Sequence, residues 1–130
     1  MEDAINYIKQ LERRIETLER FSGGGGSDSG WISLSLVNSW VQYDTTYGVP
    51  AYRKVGNIVY LKGLIKNGSS AVIATLPAGY RPTERFLGVS NNYPNVSCRI
   101  DVDTDGVIQL NSSYSNSWVS LWAISFIADA

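Results

Sequence analysis

The apolar residues of the first segment repeat with the heptad period of a coiled coil. Alternate spacings of four and three positions place apolar residues at two heptad positions: Ile8 and Ile15 at a, and Ala4, Leu11 and Leu18 at d. An isolated helix of this length is marginal in water, so it needs partner helices to bury its apolar seam. We therefore predict a coiled-coil stalk over residues 1–22.

Charged residues beside this seam indicate how many helices associate. Arg14 lies at position g and Glu19 at the following position e, where opposite charges attract between neighbouring parallel chains. Ile at a with Leu at d favours a dimer. The string from Arg14 to Glu19, however, is similar to the signature of short trimeric coiled coils, in which the Arg packs over the core and reaches a Glu of the next helix. We predict a trimer, with a dimer or a helix docked on a monomeric core as alternatives. The predicted stalk interface comprises Ile8, Leu11, Arg14, Ile15, Leu18 and Glu19.

Residues 23–30 form a Gly- and Ser-rich linker that begins with four glycines in a row. Such a segment behaves as a flexible coil that spans about 15–18 Å. It suits a junction between a stiff stalk and a separate head over residues 31–130. The Gly-Gly-Gly-Gly-Ser string is typical of natural and engineered linkers alike.

Apolar and polar residues alternate with the period of a β-strand in the head, and no helical pattern appears there. An Asn67-Gly68 hairpin, a type I turn over Leu76 to Gly79 and an Asp105-Gly106 turn separate the strands. The predicted strands cover residues 58–66, 71–76, 86–90, 97–103, 107–110 and 118–128. Short strands separated by such turns indicate a mostly β fold, a β-sandwich or a barrel. Of the two we predict an antiparallel, jelly-roll-like β-sandwich that follows a short trimeric coiled-coil helix.

The last predicted strand is apolar on both of its faces, which indicates that both faces are covered. A second copy of the head could cover the second face, and such association of heads would agree with the association of helices predicted for the stalk. The alternative is a cover formed within one chain, by a loop or by a strand over residues 31–36. We predict that four residues of this strand lie at a trimer interface: Leu121, Trp122, Ile124 and Phe126.

Composition excludes several classes of function. The 130 residues carry a net charge of −1, which argues against nucleic acid or an anionic membrane surface as partner. No apolar run is long enough to cross a bilayer, and the N-terminus lacks the apolar core of a signal peptide. The absence of histidine removes the most common general base and metal ligand. Cys98, on the inward register of its strand, is expected to be a buried and inert thiol. We predict no metal, no cofactor and no membrane insertion.

Two groups of carboxylates are candidate sites. Asp101, Asp103 and Asp105 begin like an EF-hand loop, but position 112 is Ser112 where an acidic residue is required. A solvated strand face followed by a turn is the favoured interpretation, with a weak Ca²⁺ site as the alternative. Glycoside hydrolysis would need two suitably placed carboxyl groups. Nothing marks Glu84 or Asp44 for that role, so no catalytic residue is predicted.

Three predicted loops combine tyrosine with short polar side chains. Aromatic faces stack on the apolar faces of sugar rings, while amides, hydroxyls and carboxylates hydrogen-bond to sugar hydroxyls. Ordinary loop polarity, with the tyrosines capping the edge of the core, is the alternative. The four tryptophans were assigned to the core or to subunit contacts. The candidate receptor-binding residues are Tyr43, Asp44 and Tyr47 in the first loop, Asn91, Asn92 and Tyr93 in the second, and Tyr114 and Asn116 in the third.

Several strings of the head occur in a familiar order. They include Gly30-Trp31, Asn38-Ser39-Trp40, Val55-Gly56-Asn57-Ile58-Val59, Leu76-Pro77-Ala78-Gly79-Tyr80-Arg81-Pro82 and a terminal Trp118-Val119-Ser120-Leu121. In this order the head resembles the C-terminal head domains of bacteriophage tail-fibre and receptor-binding proteins, over about residues 30–129.

This resemblance implies a homotrimeric β-sandwich at the tip of a fibre, preceded by a coiled coil or another trimeric shaft. The implied role is adsorption to a bacterial surface saccharide or teichoic-acid polymer, without catalysis. We therefore predict a receptor-binding tip on the virion tail fibre, with equivalent saccharide sites between loops of adjacent subunits. The alternatives are a structural trimerisation module of a longer fibre and a carbohydrate-active enzyme.

Overall fold

The computed structural model describes residues 28–128, so the predicted stalk over residues 1–22 and its interface residues lie outside the described range. The described residues form eleven strands and one short 3-10 helix, Thr45–Tyr47. In chain order the strands are β1 Ile32–Ser33, β2 Val41–Gln42, β3 Ala51–Val55, β4 Ile58–Lys62, β5 Leu64–Lys66, β6 Val72–Thr75, β7 Phe86–Asn92, β8 Val96–Val102, β9 Val107–Leu110, β10 Val119–Ser120 and β11 Ser125–Ile127.

These strands form two antiparallel sheets. One has four strands in the order β1-β3-β4-β11, and the other has seven in the order β2-β5-β10-β7-β8-β9-β6. Side chains from both sheets meet in one hydrophobic core, and each large side chain buried there contributes roughly 1.5–3 kcal/mol. Fully buried members include Val59, Ile65, Ile73, Ile100 and Ile108. The prediction of a mostly β, antiparallel head is confirmed, while its description as a jelly-roll-like sandwich stays a prediction.

The strand predicted over residues 58–66 is broken at Gly63. The backbone φ there is 112°, and an added Cβ would lie 2.6 Å from the Cα of Pro50, so only glycine fits without strain. The chain leaves the four-stranded sheet after Lys62 and enters the seven-stranded sheet at Leu64. The single-strand prediction was wrong because apolar and polar residues keep alternating through the residue at which the chain changes sheet.

The long C-terminal strand is likewise two strands, one in each sheet, joined by a turn at Trp122. The Leu121 N–H donates to the carbonyl of Gly63 at 2.8 Å, and the Leu61 N–H donates to the carbonyl of Ile124 at 3.0 Å. The two segments therefore cross between the sheets side by side. This crossing explains why residues 118–128 are apolar at both alternating positions: each half buries a different register in the same core.

The hairpin predicted at Asn67-Gly68 is not formed, because β5 pairs with β2 and β10 whereas β6 pairs with β9. Gly68 instead lies against the ring of Trp40, where an added Cβ would overlap the ring. The Trp40 indole N–H donates to the carbonyl of Ser70 at 2.9 Å, and the Asn67 N–H donates to the carbonyl of Asn116 at 2.8 Å. The Asn-Gly pair thus serves a packing contact and not a two-residue turn.

Two other turns lie at or near their predicted places. β8 and β9 are joined through Asp105 and Gly106, with φ of 89° at the glycine, as predicted. The turn predicted over residues 76–79 is displaced by one residue, since the Tyr80 N–H donates to the carbonyl of Pro77 at 3.1 Å. Gly79 then occupies the third position with φ of 91°, which fits a type II turn better than type I.

The start of the described chain is attached to β3. The Ser29 N–H donates to the carbonyl of Lys54 at 2.9 Å, and Arg53 Nε donates to Asp28 Oδ1 at 2.8 Å. The hydrogen bond from Arg53, supported by the backbone N–H of Gly30, lowers the pKa of Asp28 to about 2. Residues 28–30, assigned to the flexible linker by composition, are therefore fixed to the head.

Candidate functional site

An open cleft of about 350 Å³ lies on the outer face of the seven-stranded sheet. Its floor is one row of positions across three adjacent strands, β5, β10 and β7, together with Tyr43, the residue that follows β2. Ser120 pairs with Leu64, and the Tyr43 N–H donates to the Leu64 carbonyl at 2.9 Å. Because Val119 pairs with Asn92, Ser120 lies opposite Asn91. The preceding row, which contains Ile65, Val119 and Asn92, is buried, so alternation turns the floor residues outward.

The sides of the cleft come from the segments that flank this row. Tyr47 of the 3-10 helix lies on one side, and Asn95, in the turn between β7 and β8, lies on the other. Trp118 and Trp122 complete the lining from either end of β10. The lining thus combines two tyrosines and two tryptophans with two asparagine amides, one serine hydroxyl and one leucine side chain. No carboxylate or ammonium belongs to this described lining.

The aromatic rings of the cleft are held by ring contacts. Tyr43 and Tyr47 meet edge to face with centroids 5.7 Å apart, and Tyr93 meets Trp118 in the same way at 6.4 Å. Trp122 contacts Trp31 at 6.5 Å, which extends the aromatic surface toward the four-stranded sheet. Such contacts limit ring rotation, so the cleft presents its aromatic faces in a fixed arrangement.

Two ammonium groups lie beside these rings. Lys66 Nζ lies 5.2 Å from the ring centroid of Tyr43, and Lys62 Nζ lies 4.8 Å from that of Trp31. Arg53 also approaches Trp31, at 5.7 Å, but its guanidinium is paired with Asp28. The rim of the cleft on the side of β4 and β5 is therefore cationic.

The structure brings members of two predicted loops into this cleft. Tyr43 and Tyr47 of the first loop and Asn91 of the second are lining residues. Tyr93 is exposed and adjoins the lining through its contact with Trp118. The first two loops thus meet, although about 45 residues separate them in sequence, because β5 and β10 bring β2 and β7 into one sheet.

The other predicted residues have structural contacts outside the lining. Asp44 caps the 3-10 helix, since its Oδ1 accepts the Thr46 N–H at 2.8 Å. Asn92 is buried, donates to the Val96 carbonyl and accepts the Ser115 N–H. Tyr114 packs on Trp40, with ring centroids 6.0 Å apart. The carbonyl of Asn116 accepts the Asn67 N–H. The third loop supports the core and does not reach the cleft.

Five lining residues were missed by sequence reasoning: Leu64, Asn95, Trp118, Ser120 and Trp122. Trp118 and Trp122 were assigned to the core or to subunit contacts, yet Trp122 is 57% exposed. Asn95 could have been found, since it lies in the same turn as Tyr93; Asn91 and Asn92, predicted in a loop, are the last residues of β7. The sequence gives no indication that Leu64 and Ser120 face outward, because their orientation depends on the two places where the chain crosses between the sheets.

Of the four C-terminal residues predicted at a trimer interface, three are buried within a single chain: Leu121, Ile124 and Phe126. Their cover comes from the shared core of the two sheets. Trp122 alone among these four is exposed and free to contact another subunit. The subunit interface itself stays a prediction.

The solvated strand face predicted for Asp101 is wrong, since this residue has no exposed surface. Its carboxylate accepts hydrogen bonds from Arg85 Nη2 at 2.7 Å, from Arg99 Nε at 2.9 Å and from Asn111 Nδ2. Arg85 also pairs with Asp103 at 2.8 Å. Burial on its own raises the pKa of Asp101, but these hydrogen bonds outweigh it and leave the pKa below its ordinary value. Among residues 28–128 no group of three acidic or thiol side chains is placed to hold a metal ion.

Cys98 is buried in the core, as its register predicts. Burial raises the pKa of its thiol, and a hydrogen bond involving Asn92 opposes this only in part. The thiolate is the reactive form, so the folded protein disfavours chemistry at this sulfur.

Fold and cleft together define a mostly β head that presents an open aromatic cleft. A similar fold occurs in the crystal structure of the receptor binding protein (gp15) of Listeria phage PSA. The TM-score is 0.70 at 18% sequence identity, and the alignment covers 98% of this chain and 79% of that one. The expected likeness to phage receptor-binding heads is thereby confirmed for the fold. No family model and no curated protein sequence matches the chain. Within the described range, no helix has the length and apolarity needed to span a membrane.

Proposed function

We propose that this protein is the non-enzymatic receptor-binding tip of a phage tail fibre, located on the virion, and that it adsorbs to a bacterial surface saccharide or teichoic-acid polymer. The observation that carries the proposal is an open cleft that combines four aromatic rings with amide and hydroxyl groups. The fold shared with a Listeria phage receptor binding protein supports the same role.

The cleft has the chemistry that a sugar requires. Tyr43 and Trp118 offer ring faces for the apolar face of a pyranose, while Asn91, Asn95 and Ser120 offer donors and acceptors for its hydroxyls. Its volume of about 350 Å³ is in the lower range of small-molecule sites. The openness of the cleft suits a polymer, which can continue beyond both ends of the site.

The head is proposed to act as a homotrimer aligned by the stalk over residues 1–22. Trp122 is the C-terminal aromatic residue available for a subunit contact, and it also lines the cleft, so each saccharide site would lie close to a neighbouring subunit. Three weak sites on one tip raise the apparent affinity through effective concentration, provided that the polymer can reach them together.

Binding of purified cell-wall polysaccharide separates this function from its alternatives. Saturable binding without shortening of the polymer supports adhesion, absence of binding supports a structural trimerisation module, and chain shortening supports an enzyme. Y43A and W118A each remove a ring from the cleft, and each is expected to weaken binding per site about twofold to twelvefold, since a ring contact is worth about 0.5–1.5 kcal/mol. Y60A is the matched control, because Tyr60 is an exposed tyrosine on the four-stranded sheet.

The trimer needs a separate measurement. Light scattering of the full chain at micromolar concentration is expected to give three times the chain mass of 14.3 kDa. A single-chain mass would refute the trimer. Replacing Ile8, Leu11, Ile15 and Leu18 by Ser tests the stalk: if the heads remain trimeric, the stalk assists assembly and does not cause it.

A further inference from the structure

Stacking of a neutral sugar in the cleft does not require the positive charge of the cationic rim, which is formed by Lys62 and Lys66. Lys62 and Lys66 each lie two positions from Leu64, a residue of the cleft floor. Among residues 28–128 neither lysine has a carboxylate within ion-pair distance; their described contacts are with aromatic faces. An ammonium held over a ring keeps most of its surface in water and remains available to an anion.

Both ammonium groups lie beside the cleft. Lys66 Nζ lies over Tyr43, which lines it. Lys62 Nζ lies over Trp31, the ring that contacts the lining residue Trp122. Lys62 also lies next to the loop of Tyr47, because a Cβ on Gly48 would be 3.7 Å from its Nζ. The two α-carbons are four residues apart in sequence and hence at most about 14 Å apart.

The balance of charge around the cleft is positive. The four segments that supply its lining, residues 43–48, 62–66, 91–95 and 118–122, contain two lysines and one acidic residue, Asp44. The Asp44 carboxylate accepts the Thr46 N–H in the cap of the 3-10 helix. This positive rim differs in sign from the protein as a whole, whose net charge is −1.

We propose that the cleft selects an anionic saccharide, in which a sugar ring stacks on the aromatic lining and a phosphate group binds at the rim formed by Lys62 and Lys66. This inference rests on the proposed function and deepens it, because it assigns the two lysines the discrimination between charged and neutral glycans. A neutral sugar satisfies the rings and the amides but leaves both ammonium groups without a counter-charge.

The test compares matched sugars that differ by one phosphate. The intact protein is titrated with glucose, galactose and N-acetylglucosamine, with the 6-phosphate ester of each, and with inorganic phosphate alone. Binding is followed through the indole N–H signals of Trp118 and Trp122 in NMR spectra. At least one phosphate ester is expected to bind more tightly than its neutral parent, by about two- to fivefold for each lysine engaged, as for exposed ion pairs. Raising the salt from 0.05 to 0.5 M should shrink this preference.

Variants assign the preference to the two lysines. K62Q and K66Q are each expected to reduce it about two- to fivefold, and the double variant to abolish it while binding of the neutral sugar is retained. K9Q/R13Q is the matched control, because it removes the same total charge in the predicted stalk and should leave the preference unchanged.

Each contrary outcome has a distinct meaning. If neutral sugars shift the indole signals and the phosphate adds nothing, the anionic selectivity is refuted while the saccharide cleft stands. The selectivity is equally refuted if it survives in the double variant, or if inorganic phosphate binds as tightly as the sugar phosphates. If no sugar shifts either signal, the saccharide cleft is itself refuted, and the selectivity with it.

Discussion

The buried carboxylate of Asp101 permits a sharp test of the fold, through the variant D101N. The substitution preserves shape and one acceptor oxygen but removes the negative charge that accepts four hydrogen bonds from three side chains. Loss of one partner from a fully buried ion pair costs about 3–5 kcal/mol. Here the side chains of Arg85 and Arg99 are 51% and 43% exposed, so water can hydrate them after the change. We therefore expect the free energy of unfolding to fall by about 2–4 kcal/mol.

The pH dependence gives this prediction a second readout. The pKa of Asp101 is lower in the folded protein than in the unfolded chain, where it is near 3.9. Its stabilisation is therefore fully present above about pH 4 and is lost as the pH falls through the folded pKa. D101N lacks the titrating group, so the stability gap to the parent protein should narrow on acidification.

Urea unfolding of the full chain at fixed protein concentration, between pH 7 and pH 3, measures both effects. D105N is the matched control, since Asp105 is exposed in a turn and accepts only the Val107 N–H. It should change the free energy of unfolding by less than about 0.5 kcal/mol. Equal stability of D101N and D105N at pH 7, or a gap that does not respond to acid, would refute the reasoning.

Two further predictions concern backbone strain and the thiol. G63A should destabilise the protein by about 3 kcal/mol or more in urea unfolding, because its Cβ would meet the Pro50 backbone at a positive φ. Gly79 has a similar positive φ, but an added Cβ there would have no neighbour within 4 Å, so G79A should lower the free energy of unfolding by only about 1 kcal/mol, from backbone strain alone. Equal destabilisation by G63A and G79A would show that the contact with Pro50 does not matter. Cys98 should react with a thiol reagent far more slowly in the folded protein than in denaturant, since burial raises its pKa. Similar rates in the two states would show that the sulfur is accessible.

Local patterns predicted individual strands well and their sheet membership poorly. The hairpin from β8 to β9 was predictable because its turn and its alternation lie within about fifteen residues. Residues 58–66 and 118–128 were each predicted as one strand, because alternation continues across a change of sheet. The point at which each segment changes sheet is defined by contacts between residues distant in sequence. These are the close approach of Gly63 to Pro50 and the hydrogen bonds between the two crossing segments.

The same limit applies to the cleft. The mixture of tyrosine and asparagine marked two of its contributing segments, because aromatic and amide side chains are visible in composition. Which members face the cleft depends on register: Asn91 faces outward and Asn92 inward, although they are adjacent in sequence. A shift of one residue reverses every side chain of a strand, so composition alone could not separate the two.

The side-by-side crossing of the two chain segments bears on how the proposed receptor specificity can change. The base of the cleft lies at this crossing. Leu64 pairs with Ser120 there, and the neighbouring residues Gly63 and Leu121 form one of the hydrogen bonds between the crossing segments. Residues 43–48 and 93–95 flank it from outside the strands. Under the proposed function, exchanging those two short segments between related heads is therefore expected to alter which receptor is recognised, while Leu64, Ser120 and the fold beneath them stay intact.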